Sequence, residues 1–205
     1  MRKVEIEAKT LQDAQKEAVE LLRVPADKIK FTVIKEKRGI LGIGSSTIYE
    51  AQIDVNLALE GKSYIESIIS ALGVEIKMEL RTQNNGKEIY YNIFSDENAL
   101  LIGRKGNTLR SLQYLVRSYL NNFTEDFVLV NIDIGNYNEN RKRQLEILAT
   151  KTAKEVAQTK IEVKLDPMNA YERRIVHTKL ADWRDVKTES VGEGEERSII
   201  IKPSK

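Results

Sequence analysis

The chain has 205 residues, enough for one large domain or for about two to three small ones. It is 41% hydrophobic and 31% charged, with only three prolines, a composition that excludes a disordered polymer. The formal net charge is +2, so nucleic-acid binding would have to come from a local cluster of cations. Because there is no cysteine and a single histidine, disulfides and thiolate chemistry are excluded, and neither a metal site nor a cofactor is expected.

No segment of the sequence has the features of a membrane span or of a secretion signal. A membrane-spanning helix needs roughly 18 consecutive apolar residues, and no apolar run comes near that length. The first residues alternate between polar and apolar side chains, unlike the continuous apolar stretch of a signal peptide. The sequence therefore predicts a cytoplasmic protein without a transmembrane segment.

The first segment, residues 1–56, predicts a small β-α-β-β domain. A helix is expected to begin after Thr10 and to end before Pro25, because apolar residues between them repeat at helical spacing. Alternation of apolar and polar residues predicts strands over about residues 4–8, 29–33 and 48–55. A short linker is expected at about residues 56–62.

A basic, glycine-rich loop separates the last two of these strands. It lacks the helix that must follow the glycines of a dinucleotide or phosphate-binding loop, so those functions are excluded. Its apolar residues are more numerous than a free loop tip needs, which indicates a contact with a partner. A tight turn that packs on its own sheet is the alternative, and the sequence does not decide between them. The candidate contact residues are Lys37, Arg38, Ile40, Leu41 and Ile43.

The second segment, residues 62–136, predicts the element order α-β-β-α-α-β. An apolar stripe from Ile65 to Leu72 indicates a helix that stops at Gly73. Two alternating strands are expected over about residues 74–80 and 89–93, joined by a hairpin turn at residues 84–86. A short helical piece at residues 97–101, a helix from about residue 107 and a strand at residues 128–134 complete the order.

The run Ile-Gly-Arg-Lys-Gly lies between the two last helices of this segment. Two glycines let the backbone approach a ligand closely, and the following helix directs free N–H groups and a positive dipole end toward it. No acidic residue occurs between Asn98 and Asn122, where Arg117 adds a further cation. The alternative is a glycine turn with two solvated basic side chains. The candidate nucleic-acid-binding residues are Ile102, Gly103, Arg104, Lys105, Gly106 and Arg110.

The third segment, residues 137–205, predicts two helices and three strands. A long polar helix at about residues 137–159 is expected to bury Leu145, Leu148, Thr152 and Val156. A short strand is expected at residues 161–165 and two more at about residues 186–190 and 198–202. Between them, the pair at residues 166–167 is expected to cap and start a second helix that extends to about residue 183.

The second helix of this segment carries the candidate residues Arg173, Arg174 and His177. Arg173 and His177 are four residues apart, so they lie on one helix face. Arginine offers a planar fork for phosphate and a surface for stacking bases, and histidine can hydrogen-bond phosphate or base. The alternative is a histidine whose ring is satisfied within the fold, which spacing alone would favour.

Both motifs resemble known nucleic-acid-binding domains. The order α-β-β-α-α-β with Gly-x-x-Gly between its middle helices resembles a type II KH domain, which implies a groove for about four nucleotides with the loop on the backbone. The sequence around Arg173 and His177 resembles the small single-stranded nucleic-acid-binding domain named for an Arg and a His separated by three residues. The triplet at residues 183–185 departs from that pattern.

The whole chain resembles the Jag family, also called KhpB or EloR, because its first segment is similar to the Jag N-terminal domain. The resemblance is carried there by Lys-Arg-Gly-Ile-Leu-Gly-Ile-Gly, which ends at Gly44. It implies an α+β protein of three small domains: a β-α-β-β domain at 1–56, a type II KH domain at 62–136 and a small α/β nucleic-acid-binding domain at 137–205. Many members have a long charged linker after the first domain, which this chain lacks.

The resemblance implies a bacterial RNA-binding protein that acts as an RNA chaperone or post-transcriptional regulator. It links the chain to cell elongation and peptidoglycan homeostasis, with single-stranded RNA as ligand and single-stranded DNA as a second candidate. It also implies a KH-only partner or a homodimer through the KH domain. A membrane insertase or a cell-elongation protein is the implied partner of the N-terminal domain.

Two other functional classes are the alternatives. An enzyme such as a nuclease or phosphotransferase would have to use carboxylates alone, and no pair of them has a recognisable catalytic spacing, so a non-enzymatic protein is expected. The other alternative is a protein scaffold at the insertase or elongation machinery, with nucleic-acid binding as a secondary property.

Overall fold

The computed structural model describes residues 1–37 and 45–204, and within them the chain mixes helices with small sheets. The predicted α+β class is confirmed. The chain divides into two compact units, Met1–Gly135 and Asn136–Lys205. The described part forms three separate three-stranded sheets, two of them in the first unit and one in the second.

The N-terminal part of the first unit has the predicted β-α-β-β order. Its sheet is antiparallel, with β3 between β1 and β2. The Thr10 side chain caps the helix by accepting a hydrogen bond from the backbone N–H of Asp13, at 3.1 Å. The helix covers the sheet with small and branched residues that are almost fully buried. The elements are β1 (Lys3–Ala8), α1 (Leu11–Leu22), β2 (Ile29–Lys37) and β3 (Ser46–Ile53).

The rest of the first unit has the predicted α-β-β-α-α-β order. Strand β5 pairs antiparallel with β4 and parallel with β6, so β4 and β6 are the edge strands. The predicted hairpin turn is present, because Asn84, Asn85 and Gly86 all adopt positive φ angles. The elements are α2 (Leu57–Ala71), β4 (Lys77–Gln83), β5 (Glu88–Phe94), α3 (Asn98–Ile102), α4 (Asn107–Asn121) and β6 (Leu129–Ile134).

The predicted linker at residues 56–62 is wrong, because these residues belong to α2. Asn56 caps the helix, with its side-chain oxygen accepting from the N–H groups of Ala58 and Leu59 at 3.0 and 3.1 Å. The cap fixes the start of the helix several residues earlier than the apolar stripe alone predicted. At the other end, Leu72 is 56% exposed and does not belong to the buried face.

Helix α2 approaches β5 unusually closely at Gly61. The Tyr91 side chain is fully buried beneath the helix, and its hydroxyl donates to the backbone oxygen of Ala58 at 3.0 Å. A Cβ added to Gly61 would lie 2.0 Å from that hydroxyl oxygen and 2.9 Å from a methyl group of Leu120. Glycine is therefore required here by packing, since no larger residue fits between α2, α4 and the sheet.

The two halves of the first unit are joined by side-chain contacts. The guanidinium of Arg2 donates to the backbone oxygen of Asn122, beyond the end of α4, at 2.9 Å. Lys28 donates to Glu60 of α2 at 2.6 Å, and Tyr119 of α4 donates to the same carboxylate at 3.1 Å. The hydrogen bond from Lys28 to Glu60 raises the pKa of Lys28. Residues far apart in sequence thus form one polar junction.

An aromatic cluster lies beside this junction. The rings of Tyr64 and Tyr119 stack with centroids 4.2 Å apart, so that α2 and α4 are in direct contact. Phe123 meets Tyr119 edge-on at 5.0 Å, and the ammonium of Lys28 lies 5.4 Å from the Phe123 ring centre. The N-terminal sheet therefore contributes to the packing of the helices that follow it.

The second unit has one antiparallel sheet, with β9 between β7 and β8. The long helix α5 has the predicted bounds, but Leu148 is 41% exposed and Ala149 is buried in its place. The expected helix start at residues 166–167 is wrong: Asn169 is the cap and forms a reciprocal capping box with Glu172. The elements are α5 (Tyr137–Thr159), β7 (Val163–Lys164), α6 (Ala170–Leu180), β8 (Val186–Val191) and β9 (Ser198–Pro203).

None of the helices in the described residues is long and apolar enough to span a bilayer.

We predict that Gly61→Ala destabilises the first unit by about 1–3 kcal/mol, because the added methyl overpacks the site of Tyr91. In an unconstrained helix, the same change would stabilise by roughly 1 kcal/mol, so the sign of the effect tests the packing. Urea unfolding of the full chain, followed by circular dichroism, measures it. Trp183 fluorescence reports the second unit, where Trp183 packs on the core, and is expected not to change.

The double variant Gly61→Ala/Tyr91→Phe serves as the control for this prediction. It removes the hydroxyl that the new methyl would contact first, and it is expected to recover part of the lost stability. A midpoint for Gly61→Ala equal to or above that of the unchanged chain would contradict the close packing.

Candidate nucleic-acid interface

The glycine-rich loop between α3 and α4 has a backbone that only these residues adopt without strain. Gly103 has φ 69° and ψ −179°, a region that is essentially restricted to glycine, and Gly106 has φ 75°. Lys105 between them also has a positive φ, 51°. A Cβ on Gly103 would lie 2.1 Å from the hydroxyl oxygen of Thr108. The loop therefore folds tightly back onto the first turn of α4.

The charges of the loop are arranged around this turn. Arg104 is exposed and Lys105 is half-buried. The guanidinium of Arg110 reaches back from α4, donating to the backbone oxygen of Lys105 at 3.0 Å and to the side chain of Asn107. Arg110 thus braces the loop with its side chain and keeps its charge beside it.

The N-terminus of α4 opens onto the same place. Gly106 is the cap residue and has no side chain to satisfy the first N–H groups of the helix. These N–H groups and the positive end of the helix dipole favour an anion. The structure thus brings Gly103, Arg104, Lys105, Gly106 and Arg110 together at one helix end, and Ile102 ends α3 immediately before them.

Helix α4 also covers the open edge of the sheet. The side chain of Gln113 accepts a hydrogen bond from the N–H of Ile132 in β6 at 3.1 Å. The amide of Asn121 bonds both the N–H and the oxygen of Val128, at 2.9 and 3.1 Å. These bonds fix the flank of α4 that faces the β6 edge, and nothing in the helical periodicity of the sequence had singled them out.

In the second unit, Arg173 and His177 lie on one flank of α6, beside β8. One ring nitrogen of His177 lies 2.6 Å from the hydroxyl oxygen of Thr188, and the other lies 3.1 Å from that of Ser190. Burial, and then the charge of Arg173, lower the pKa of His177. Both ring nitrogens are thus engaged within the domain, as in the structural alternative that the sequence left open.

The arginines of α6 differ in how they are held. Arg173 is half-buried and donates to the backbone oxygen of Met168 at 2.8 Å, which leaves its other N–H groups available. Arg174 is exposed. Sequence reasoning did not single out Thr188 and Ser190, although their spacing of two places both side chains on one face of a strand, which was a usable signal.

A buried ion pair anchors α6 against α5. Glu172 is 4% exposed, and its carboxylate accepts from Arg141 at 2.7 Å and from the backbone N–H of Asn169 at 3.1 Å. A buried carboxylate needs such partners, because an unpaired one would be costly. The pair fixes the helix that carries Arg173 and His177.

The candidate partner contact of the first segment is described only in part. Lys37 ends β2 and pairs with Glu7, which also accepts from the hydroxyl of Ser46. Arg38, Ile40, Leu41 and Ile43 lie outside the described residues.

Three family models match consecutive parts of the chain. The Jag N-terminus model matches residues 6–57, and the KhpA/KhpB KH domain model matches 62–134. The model of the domain named for an Arg and a His separated by three residues matches 143–203. A Clostridium symbiosum protein named RNA-binding protein KhpB is 37% identical over 98% of this chain and 91% of that protein. The chain belongs to the KhpB family.

Other relatives of the KhpB family agree with this assignment. RNA-binding protein KhpB of Bacillus subtilis is 33% identical over 98% of both chains. The protein of the same name in Lactiplantibacillus plantarum is 33% identical over 67% of this chain but only 42% of its own length. Members of the KhpB family therefore differ in length, as the resemblance had implied.

Within residues 1–37 and 45–204, no three His, Asp or Glu side chains are grouped so that they could hold a metal ion.

We predict that the second unit of this KhpB-family chain loses stability as the pH falls below about 6.5. The lowered pKa of His177 means that the folded state binds fewer protons than the unfolded state. Its contribution is therefore complete above the ordinary value of 6.5 and is lost as the pH falls through the lower pKa of the folded state. Urea midpoints from Trp183 fluorescence between about pH 7.5 and 5.5 measure the effect.

His177→Gln is the matched control, since glutamine can keep a hydrogen bond to the strand but does not titrate in this range. Its midpoint is expected to be nearly flat between the same pH values, because His177 is the only histidine of the chain. An equal pH dependence in both proteins would assign it to other groups.

Proposed function

We propose that this chain binds single-stranded RNA through two sites, the loop Gly103–Gly106 with α4 and the flank of α6 that carries Arg173 and His177. The observation that carries the proposal is the loop geometry. Two glycines and a left-handed Lys105 form a tight turn at an open helix N-terminus, within a stretch that has no acidic residue. Relatives that are named RNA-binding proteins over nearly the whole chain support it.

At the first site, the ligand is the sugar-phosphate backbone. Arg104 and Lys105 contact phosphates, while the N–H groups at the start of α4 donate to an anionic oxygen. Arg110 holds the oxygen of Lys105 and so keeps the loop in shape. Glycine at position 103 lets the strand approach the backbone without a side chain between them. Ile102, which precedes the loop, offers an apolar surface beside it.

At the second site, arginine is the main ligand group. Arg174 and the free donors of Arg173 bind phosphate or stack on a base, since guanidinium groups do both. His177 acts as a positioning residue through Thr188 and Ser190 and exposes part of its ring to the ligand. Joining two weak sites in one chain raises affinity by effective concentration.

The finer assignments rest on the family resemblance alone. We propose a non-enzymatic, cytoplasmic RNA chaperone or post-transcriptional regulator with a link to cell elongation and peptidoglycan homeostasis. A KH-only protein or a second copy pairs with the KH domain, and an insertase or elongation protein binds the N-terminal domain. Crosslinking in cells, followed by sequencing of the bound RNA, tests this role; recovery of no RNA would favour the scaffold alternative.

Reversal of the loop charges is the direct test of the first site. Arg104→Asp/Lys105→Asp is expected to weaken binding of a short oligouridine by about tenfold or more, because phosphate contacts supply most of such affinity. The dependence of log affinity on log salt should become shallower by roughly 0.7 for each phosphate that the variant no longer binds. Fluorescence anisotropy at several salt concentrations measures both quantities.

Lys77→Asp/Arg81→Asp is the matched control for the loop variant. Both residues are exposed on the edge strand β4, outside the loop, and the change in net charge is the same. This variant is expected to alter affinity only slightly. If the two double variants weaken binding equally, affinity depends on overall charge and the loop is not the site.

The second site predicts a length-dependent effect. Arg173→Gln/Arg174→Gln is expected to weaken binding of long single strands more than of short ones, because only long strands engage both sites. Neither change removes the hydrogen bonds of His177, so Trp183 fluorescence should report an intact fold. Unchanged affinity for long RNA and DNA strands would remove α6 from the proposed interface.

A further inference from the structure

The flank of α4 that continues from the loop carries an exposed aromatic residue between arginines. Tyr114 is 60% exposed, and the guanidinium carbon of Arg117 lies 5.6 Å from the centre of its ring. Arg110 lies four residues before Tyr114, one turn nearer the loop, so the three side chains follow one another along the helix. The ring is not part of the core, which α4 forms with its other face.

The charge of this flank favours an anionic ligand. The stretch from Asn98 to Asn122 contains no acidic residue, so Tyr114 and Arg117 have no carboxylate beside them on their own helix. A tyrosine ring that already has a guanidinium beside it keeps a free face for a second planar group. Cations next to an exposed aromatic ring are the combination by which proteins hold single strands, with phosphates on the cations and bases on the ring.

The position of the ring fits the path of a strand held by the loop. Tyr114 lies eight residues after Gly106, which places it about 12 Å further along the helix. A segment of about four nucleotides spans roughly 14 Å even when its bases stack at ~3.4 Å. The same flank holds Gln113 and Asn121, which bond the edge strand β6, so a strand beside β6 passes the ring.

We propose that Tyr114 and Arg117 form a base-stacking platform for single-stranded RNA, which extends the binding path from the loop Gly103–Gly106 along α4. Tyr114 stacks on an unpaired base, and Arg117 holds the ring and contacts the adjacent phosphate. The inference rests on the proposed RNA binding and adds to it a contact with the bases. Stacking on the ring is open to every base, so the platform contributes affinity with little preference for sequence.

Substitution of Tyr114 in the full chain tests the platform. Tyr114→Ala is expected to weaken binding of an oligouridine of about eight nucleotides by about 5- to 30-fold, the usual effect of removing a stacked ring. Tyr114→Phe keeps the ring and is expected to bind within about twofold of the unchanged chain. Phe127→Ala is the matched control, because Phe127 is 64% exposed but adjoins the acidic pair Glu125 and Asp126.

An oligonucleotide of the same length that lacks its bases separates stacking from phosphate binding. Tyr114→Ala should bind this abasic strand as well as the unchanged chain does, because the variant removes stacking alone. It should also leave the salt dependence of binding unchanged. Arg117→Gln is expected to make that dependence shallower by roughly 0.7, the effect of one phosphate contact.

The outcomes distinguish the platform from the loop. If Arg104→Asp/Lys105→Asp weakens binding but Tyr114→Ala does not, the loop site stands and the platform is wrong. If Tyr114→Ala changes the oligomeric state in size-exclusion chromatography and leaves RNA affinity intact, this flank is a protein interface and the platform is also wrong. Equal losses of affinity for the normal and the abasic strand would show a structural effect and overturn stacking.

Discussion

The close packing of α2 against the sheet at Gly61 is the constraint on which the first unit depends. The absence of a side chain there lets the helix lie directly over Tyr91, whose hydroxyl bonds the helix backbone. At that depth, α2 also lies against α4, and Tyr64 can stack on Tyr119. The ends of the two helices then form the surface that receives the N-terminal sheet. A single missing methyl group thus sets the position of the helix that carries the candidate site.

The sequence predicted the element order well, because periodicity reports directly on burial. Alternation defined the strands, and the order α-β-β-α-α-β with Gly-x-x-Gly marked the loop. Capping was the main source of error. The helix signal at residues 166–167 was a plausible cap, yet Asn169 wins because Glu172 completes a reciprocal box and is itself buried against Arg141. Such a choice depends on a tertiary contact, which local patterns do not contain.

Contacts between distant segments were beyond the sequence for the same reason. Arg2 and Lys28 read as ordinary surface cations, but both reach the ends of α2 and α4. The hydroxyls of Thr188 and Ser190 read as polar positions of an exposed strand, but they hold both nitrogens of His177. The pattern Arg-x-x-x-His therefore located the histidine correctly without revealing that its ring nitrogens are already bonded.

Helix α4 shows why a site can be evident and still be incompletely read. Its inward face repeats apolar residues, and this repetition is what the periodicity of the sequence detects. Its N-terminal end carries the loop, which the glycines disclose. Its flank toward β6 has neither signal, because Gln113 and Asn121 act through edge bonds, and Tyr114 through exposure. Near-neutral net charge makes that flank matter more, since a protein without a general attraction for phosphate needs its cations and aromatic rings to lie along one path.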